Sequence, residues 1–293
     1  MKKQFPLTIE EVIRDDRTIL LFADVGTFGF RNSKKEFPDR VINVGIAEQS
    51  MVSIAAGLAL QDFIPIVHTI NAFMVERALE QIKIDFGYQK LGGNFVSTGA
   101  SYDMASWGCT HQCPGDVGIL KNIPGMEIVI PGTDKEFDSL FKQSYDNGCP
   151  TYFRLATQNN PESREVVFGK ANVIKKGGRA TIIAVGPMLQ KVEEACRDLD
   201  VTILYYTTLQ PFDHEALREN INGDKIIVCE PYYSGACAVD ISSAVAPRAV
   251  EIVYIGVPRE FPHCYGTVND LDAFFHLTTS DIKARVENVL TDK

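Results

Sequence analysis

The sequence predicts an α/β protein of two domains with mainly parallel sheets, and three observations lead there. Short β-branched runs alternate with helix-period patterns along the chain, the signature of parallel strands joined by helical crossovers. The alternation breaks once, at the polar stretch ATQNNPESREVVFG (156–169), whose central Asn-Asn-Pro reads as a linker or irregular crossover. A second α/β series then begins, so the expected domains are 1–160 and 168–293.

In the first series, residues 18–23 (TILLFA) read as a buried strand and 41–44 as a second. Gly45 then leads into an Ala- and Leu-rich helix over 47–60. Residues 64–67 are strand-like, 72–86 helical and 94–98 strand-like again. After a long irregular stretch, 127–130 forms a strand closed by Pro131-Gly132. Thr133 and Glu136 have capping-box spacing, and Phe137, Leu140, Phe141, Ser144 and Tyr145 share one helical stripe that Gly148 ends. Residues 152–155 return as a strand. In the second series, 181–185, 201–204, 225–229 and 252–255 read as strands, and 189–199, 213–220, 236–245 and 281–290 as helices.

Bulk properties narrow the function by exclusion. With 45% hydrophobic and 23% charged residues, the 293-residue chain is composed like an ordinary globular protein. A net charge of −9 and the lack of a basic block argue against nucleic acid or an anionic membrane as partner. The start, MKKQFPLTIEEV, has no apolar signal region, and no apolar run reaches spanning length. Seven cysteines without framework spacing suit a reducing cytoplasm. G-x-G-x-x-G, Walker A and G-x-S-x-G motifs are all missing. Cys109, His111 and Cys113 are spaced like half a zinc site; without a second Cys/His pair, a polar active-site loop is the better reading. His214, His263 and His276 are isolated and read as surface or satisfied core residues.

The informative segment is 40–60, RVINVGIAEQSMVSIAAGLAL, where Glu48 opens a small-residue helix. Taken alone, an acidic first-turn residue is explained by the helix dipole. The wider pattern is more specific: it resembles the pyrimidine-binding domain of the transketolase family, in which a strand leads to a G-[IV]-x-E-[QH] turn and an Ala/Gly-rich helix. The resemblance continues in register through PIVHTINAFMVERALEQI (65–82), Thr110-His111-Gln112, Ile123-Pro124-Gly125-Met126 and Ile130-Pro131-Gly132. TIIAVGPM and LQPFD resemble the family's carboxy-terminal domain, so nearly the whole chain is covered.

The resemblance implies thiamine diphosphate as cofactor, with Glu48 as its activator. The cofactor's amino group becomes basic enough to deprotonate the thiazolium ring only when a hydrogen-bonded carboxyl group protonates the pyrimidine. Semi-burial among Ile46, Met51 and small residues would help Glu48 hold that proton. Phe73 matches the aromatic that stacks on the pyrimidine, although by pattern alone a core-facing residue fits equally. Ile70 stands where the family often has a second aromatic, and Ile46 completes the implied cofactor contacts. His111 would reach the substrate, stabilising oxyanion character or shuttling protons.

The family's Mg²⁺-binding G-D-G is missing, and the first strand lies close to the start of the chain. The resemblance therefore implies a partner: an amino-terminal subunit carrying the diphosphate and metal site, in an α2β2 heterotetramer. Two departures bear on substrate. Trp107 replaces an aspartate that contacts a donor hydroxyl in sugar-processing relatives, and Thr157 replaces an arginine that clasps phosphate. Arg154 or Arg77 could compensate for the second. A modified or non-phosphorylated substrate is thus expected for a two-carbon ketol transfer. Two alternatives stay open: a β-type subunit of a 2-oxoacid-decarboxylating enzyme, and a non-catalytic scaffold.

Overall fold

A computed structural model describes residues 1–291. Two sheets organise it. The strands of the first are β1 (Thr18–Phe22), β2 (Val41–Asn43), β3 (Ile64–Ile70), β4 (Gly93–Thr98), β5 (Glu127–Val129) and β6 (Pro150–Leu155). The chain then supplies β7 (Asn172–Lys175), β8 (Thr181–Val185), β9 (Thr202–Tyr206), β10 (Thr208–Gln210), β11 (Lys225–Tyr233) and β12 (Glu251–Val257). The spatial orders are β10-β5-β6-β4-β3-β1-β2 and β12-β11-β8-β9-β7. All pairings are parallel except β10 with β5 and β7 with β9, both at sheet edges. β1, β3, β4, β6, β8 and β9 are buried at every residue, as strands covered on both faces must be, and so read as apolar runs instead of alternating ones.

β10 departs from the expected plan. It follows β9 of the second sheet directly, yet pairs Thr208 with Val129 and Gln210 with Ile128 on the edge of the first. One buried apolar cluster accordingly runs from Phe5 and Phe137 of the first unit to Ile182 and Val286 of the second. The polar crossover is likewise pinned. Asn160 is buried, its amide donates to the Gly186 carbonyl and its side-chain oxygen accepts from the Gln190 N–H.

Three local expectations need correction. The helix Gln4–Val12 was not anticipated; it buries Phe5, Ile9 and Val12 and sets Phe5 edge-on to Phe137. The helix expected over 72–86 is π-helical at Phe73–Arg77 and Ile82–Tyr88, with one α-turn between. At Thr133 only half of a capping box forms. Thr133 Oγ1 accepts from the Glu136 N–H, but the Glu136 carboxylate accepts from Gly132, Arg164 and the Tyr205 hydroxyl instead.

Burial also leaves an uncharged acid in the second unit. Glu230 in β11 has no exposed surface and accepts one bond, from the Gly235 N–H at 2.6 Å. Desolvation pushes its pKa up from 4.5 to about 8. Between those values the unfolded chain ionises while the folded one stays neutral, so this contribution to stability is complete below pH 4.5 and lost as pH rises through 8. Glu230→Gln, neutral at every pH, should flatten that limb by on the order of 4 kcal/mol. Urea midpoints at pH 5 and pH 8 read the difference, and equal slopes for the two proteins would rule it out.

Candidate active site

In open parallel sheets, ligands collect beyond the carboxyl ends of the strands, where the order of strands reverses. Here that reversal is the crossover from β2 back over β1 to β3, and it begins with Glu48. Gly45 makes the turn, with φ at +74°, a conformation that disfavours side chains. Glu48 is the first residue of the helix Glu48–Ala59, and only 1% of it is exposed. Its Oε1 accepts from Thr69 Oγ1 at 3.0 Å, at the end of β3. Its Oε2 receives Arg77 Nη1 at 2.6 Å. Met51 is buried beneath, but Ile46 is 73% exposed and does not wall the carboxylate in; Thr69 and Arg77 satisfy it instead.

Arg77 lies four residues after Phe73 on the π-helical turn, so both project from one face. The guanidinium sits over the half-buried Phe73 ring, 4.1 Å from its centroid. Phe73 also meets the His111 ring in a T-shaped contact at 5.2 Å, and His111 meets Trp107 at 4.6 Å. A continuous path of contact therefore runs Glu48–Arg77–Phe73–His111–Trp107. π-Helical turns are uncommon and concentrate at functional sites. Ile70 is buried beside Gly99, behind this path.

The loop bearing His111 and Trp107 leaves β4 and is closed by a bridge from the Cys113 N–H to the Ser101 carbonyl. Two short 3₁₀ turns, Ala105–Trp107 and Cys109–His111, meet at Gly108, whose φ is +74°. A side chain at Gly108 would strike the Tyr265 ring, so the loop and the second unit fit closely there. His111 Nδ1 shares a 2.8 Å hydrogen bond with Thr110 Oγ1. Gln112 is 4% exposed, yet neither atom of its side-chain amide has a partner, an arrangement that folded chains seldom tolerate away from ligand sites. Cys113 is buried and Cys109 exposed, and among the described residues no His/Cys/Asp/Glu cluster is placed to hold a metal.

Arg154 cannot serve the substrate. It is 1% exposed, its Nε donates to Asp116 Oδ2 at 2.6 Å, and its Nη2 donates to the Pro231 carbonyl. The same Asp116 oxygen accepts from Asn71 and from the Tyr152 hydroxyl, which makes a buried polar knot under the His111 loop. Arg77 is partly exposed but committed to Glu48. Thr157 is exposed, and its N–H donates to Asp103 in the same loop. Thr69, Asn71, Asp116 and Tyr152 escaped the sequence reading because nothing local marks them. Arg77 was weighed only as a phosphate contact; its spacing to Phe73 is the signal that ties it to Glu48 instead.

The residues fit a flat, cationic N–H donor held between a buried carboxylate and an aromatic face, at the strand ends of an α/β domain. That combination defines a candidate cofactor-binding recess. The chain belongs to the transketolase family: residues 3–162 match its pyrimidine binding domain and residues 169–282 its C-terminal domain. It is similar, at 37% identity over 94% of this chain and 90% of the relative, to an uncharacterized 33.6 kDa protein in the fasciation locus of Rhodococcoides fascians. It is 32% identical to the 6-deoxy-6-sulfo-D-fructose transketolase subunit of Clostridium sp. (strain MSTE9), over 98% of this chain and 92% of that one. Among solved structures it resembles a split gene transketolase described as an inactive beta4 tetramer, with 26% identity, a TM-score of 0.85, and coverage of 99% of this chain and 97% of that one.

Proposed function

We propose that this chain is the carboxy-terminal subunit of a split, thiamine-diphosphate-dependent transketolase that moves a two-carbon ketol unit between carbonyl compounds. The carrying observation is Glu48: a carboxylate 1% exposed, next to an aromatic ring already covered by a planar cation. Glu48 and Phe73 would hold the pyrimidine, with Ile46 at the rim and Ile70 behind. Bound there, thiamine diphosphate supplies a nucleophilic carbon for attack on a ketose carbonyl. Glu48 holds a proton at the pyrimidine nitrogen, and Thr69 fixes the carboxylate that does so. His111, braced by Thr110 and by the two aromatic rings, donates to oxygen in the substrate.

A partner chain would bring the diphosphate site and its Mg²⁺, as expected of an α2β2 assembly. In support, large apolar residues are exposed on the segment that carries Glu48, at Ile42, Ile46 and Ile54, and at Ile84 and Tyr88 on the helical segment packed against that helix. A similar protein, solved without another kind of chain, is described as inactive. All seven cysteines are free, as suits the cytoplasm, and no helix among the described residues is long and apolar enough to cross a membrane.

For the substrate, the absence of an available arginine at Thr157 and the indole of Trp107 beside His111 favour a modified or non-phosphorylated sugar over the ordinary pentose phosphates. A relative named for a sulfonated sugar fits that reading. The test is co-expression with a partner carrying G-D-G and assay against a panel of donors. Turnover of a modified ketose, with xylulose 5-phosphate slower by about tenfold or more, is expected for loss of one charged contact. Xylulose 5-phosphate at ordinary rates would refute the substrate reading, and decarboxylation of pyruvate would favour the 2-oxoacid alternative.

A further inference from the structure

Arg77 makes the two contacts that a bound pyrimidine would need. Its guanidinium is flat, positively charged and rich in N–H donors. One face lies 4.1 Å from the centroid of Phe73, and Nη1 donates to Glu48 Oε2 at 2.6 Å. A protonated aminopyrimidine is also flat, cationic along its N–H edge and suited to an aromatic face. The two groups would claim the same carboxylate and the same ring, and only one can be there.

Accepting the pyrimidine-site reading, we propose that Arg77 is a displaceable stand-in for the aminopyrimidine: it keeps Glu48 and Phe73 in position while the cofactor is absent and swings out when the ring enters. Three features make the exchange workable. Glu48 is 1% exposed, and a buried carboxylate without a partner is costly, so the empty site needs a cation. Arg77 itself is 41% exposed, leaving its long side chain a path into solvent. Glu80, exposed and three residues further along the same helical segment, offers the released guanidinium another carboxylate. Phe73 stays fixed meanwhile, because His111 braces its ring edge-on. Arg77 is thus a positioning residue that acts through Glu48, and its release is part of cofactor capture.

The isolated chain can test this with the free pyrimidine half of the cofactor, (4-amino-2-methylpyrimidin-5-yl)methanol, titrated while the Arg77 Nε–H signal is followed by NMR. In the free protein that signal should be displaced by the ring current of Phe73. It should move to the position of a solvent-exposed arginine as the fragment saturates. Arg77→Ala, which has nothing to displace, should bind the fragment about tenfold more tightly, the scale of one partly exposed ion pair plus a cation–π contact. If the fragment shifts Phe73 and Thr69 resonances but leaves Arg77 unmoved, or binds Arg77→Ala no better, the stand-in role is wrong and the pyrimidine site survives. If neither protein shows Phe73 or Thr69 shifts at millimolar fragment, the pyrimidine site itself fails and the proposal falls with it.

Discussion

Glu48→Gln should reduce kcat of the assembled enzyme by roughly 10²- to 10⁴-fold at saturating cofactor, the usual scale for removing a positioned acid–base group. The amide oxygen can still accept from Arg77, and the amide nitrogen can donate to Thr69 Oγ1, whose hydroxyl can turn to accept, so the fold should hold and the melting temperature should move little. That contrast is the useful part of the experiment. A carboxylate present only to favour a helix N-terminus would cost a fraction of a kcal/mol and no activity when replaced. A pair retaining full activity with glutamine at this position would remove Glu48 from the chemistry and revive the scaffold reading.

Arg154→Ala should destabilise the chain by about 3–5 kcal/mol, because it strands Asp116 without its cation where neither residue reaches water. Asn71 and Tyr152 still donate to Asp116, which places the expected loss toward the lower end of that range. Urea unfolding measures it, and a cost under about 1 kcal/mol would show that the knot relaxes or hydrates instead. Adding Asp116→Asn should recover part of the loss, since the stranded charge is the expensive element. The substrate reading makes a separate demand on the same variant: with Arg154 enclosed, any weaker substrate binding must come through the His111 loop above it.

The parts of the molecule written in short stretches of sequence were the parts that could be read. Buried parallel strands are apolar runs bounded by turns, so β1, β3, β4 and β8 stand out, and the Gly45–Glu48 turn carries its own spacing. The antiparallel edges were less visible. β7 and β10 are short, antiparallel and defined by their partners. The site divides along the same line. Glu48, Phe73 and His111 belong to local patterns, whereas the carboxylate's second ligand comes from a helical segment 29 positions away, and the Asp116 knot joins residues 38 apart. Ile46 shows how a local pattern misleads. An apolar residue beside a buried acid reads as its cover, yet this one is 73% exposed and leaves the carboxylate to Thr69 and Arg77.

The crossing of β10 has a consequence for how the protein emerges from the ribosome. β5 ends at Val129, but the strand that completes its free edge begins at Thr208, about 80 residues later in synthesis. At ~5–20 residues per second, that edge waits roughly 4–16 s with its backbone groups open to other strands. The first sheet finishes only after β8 and β9 have been made, so the nascent halves mature together, and a chain released early would carry a sticky sheet margin. Whatever holds that margin quiet during those seconds guards the yield of the whole subunit.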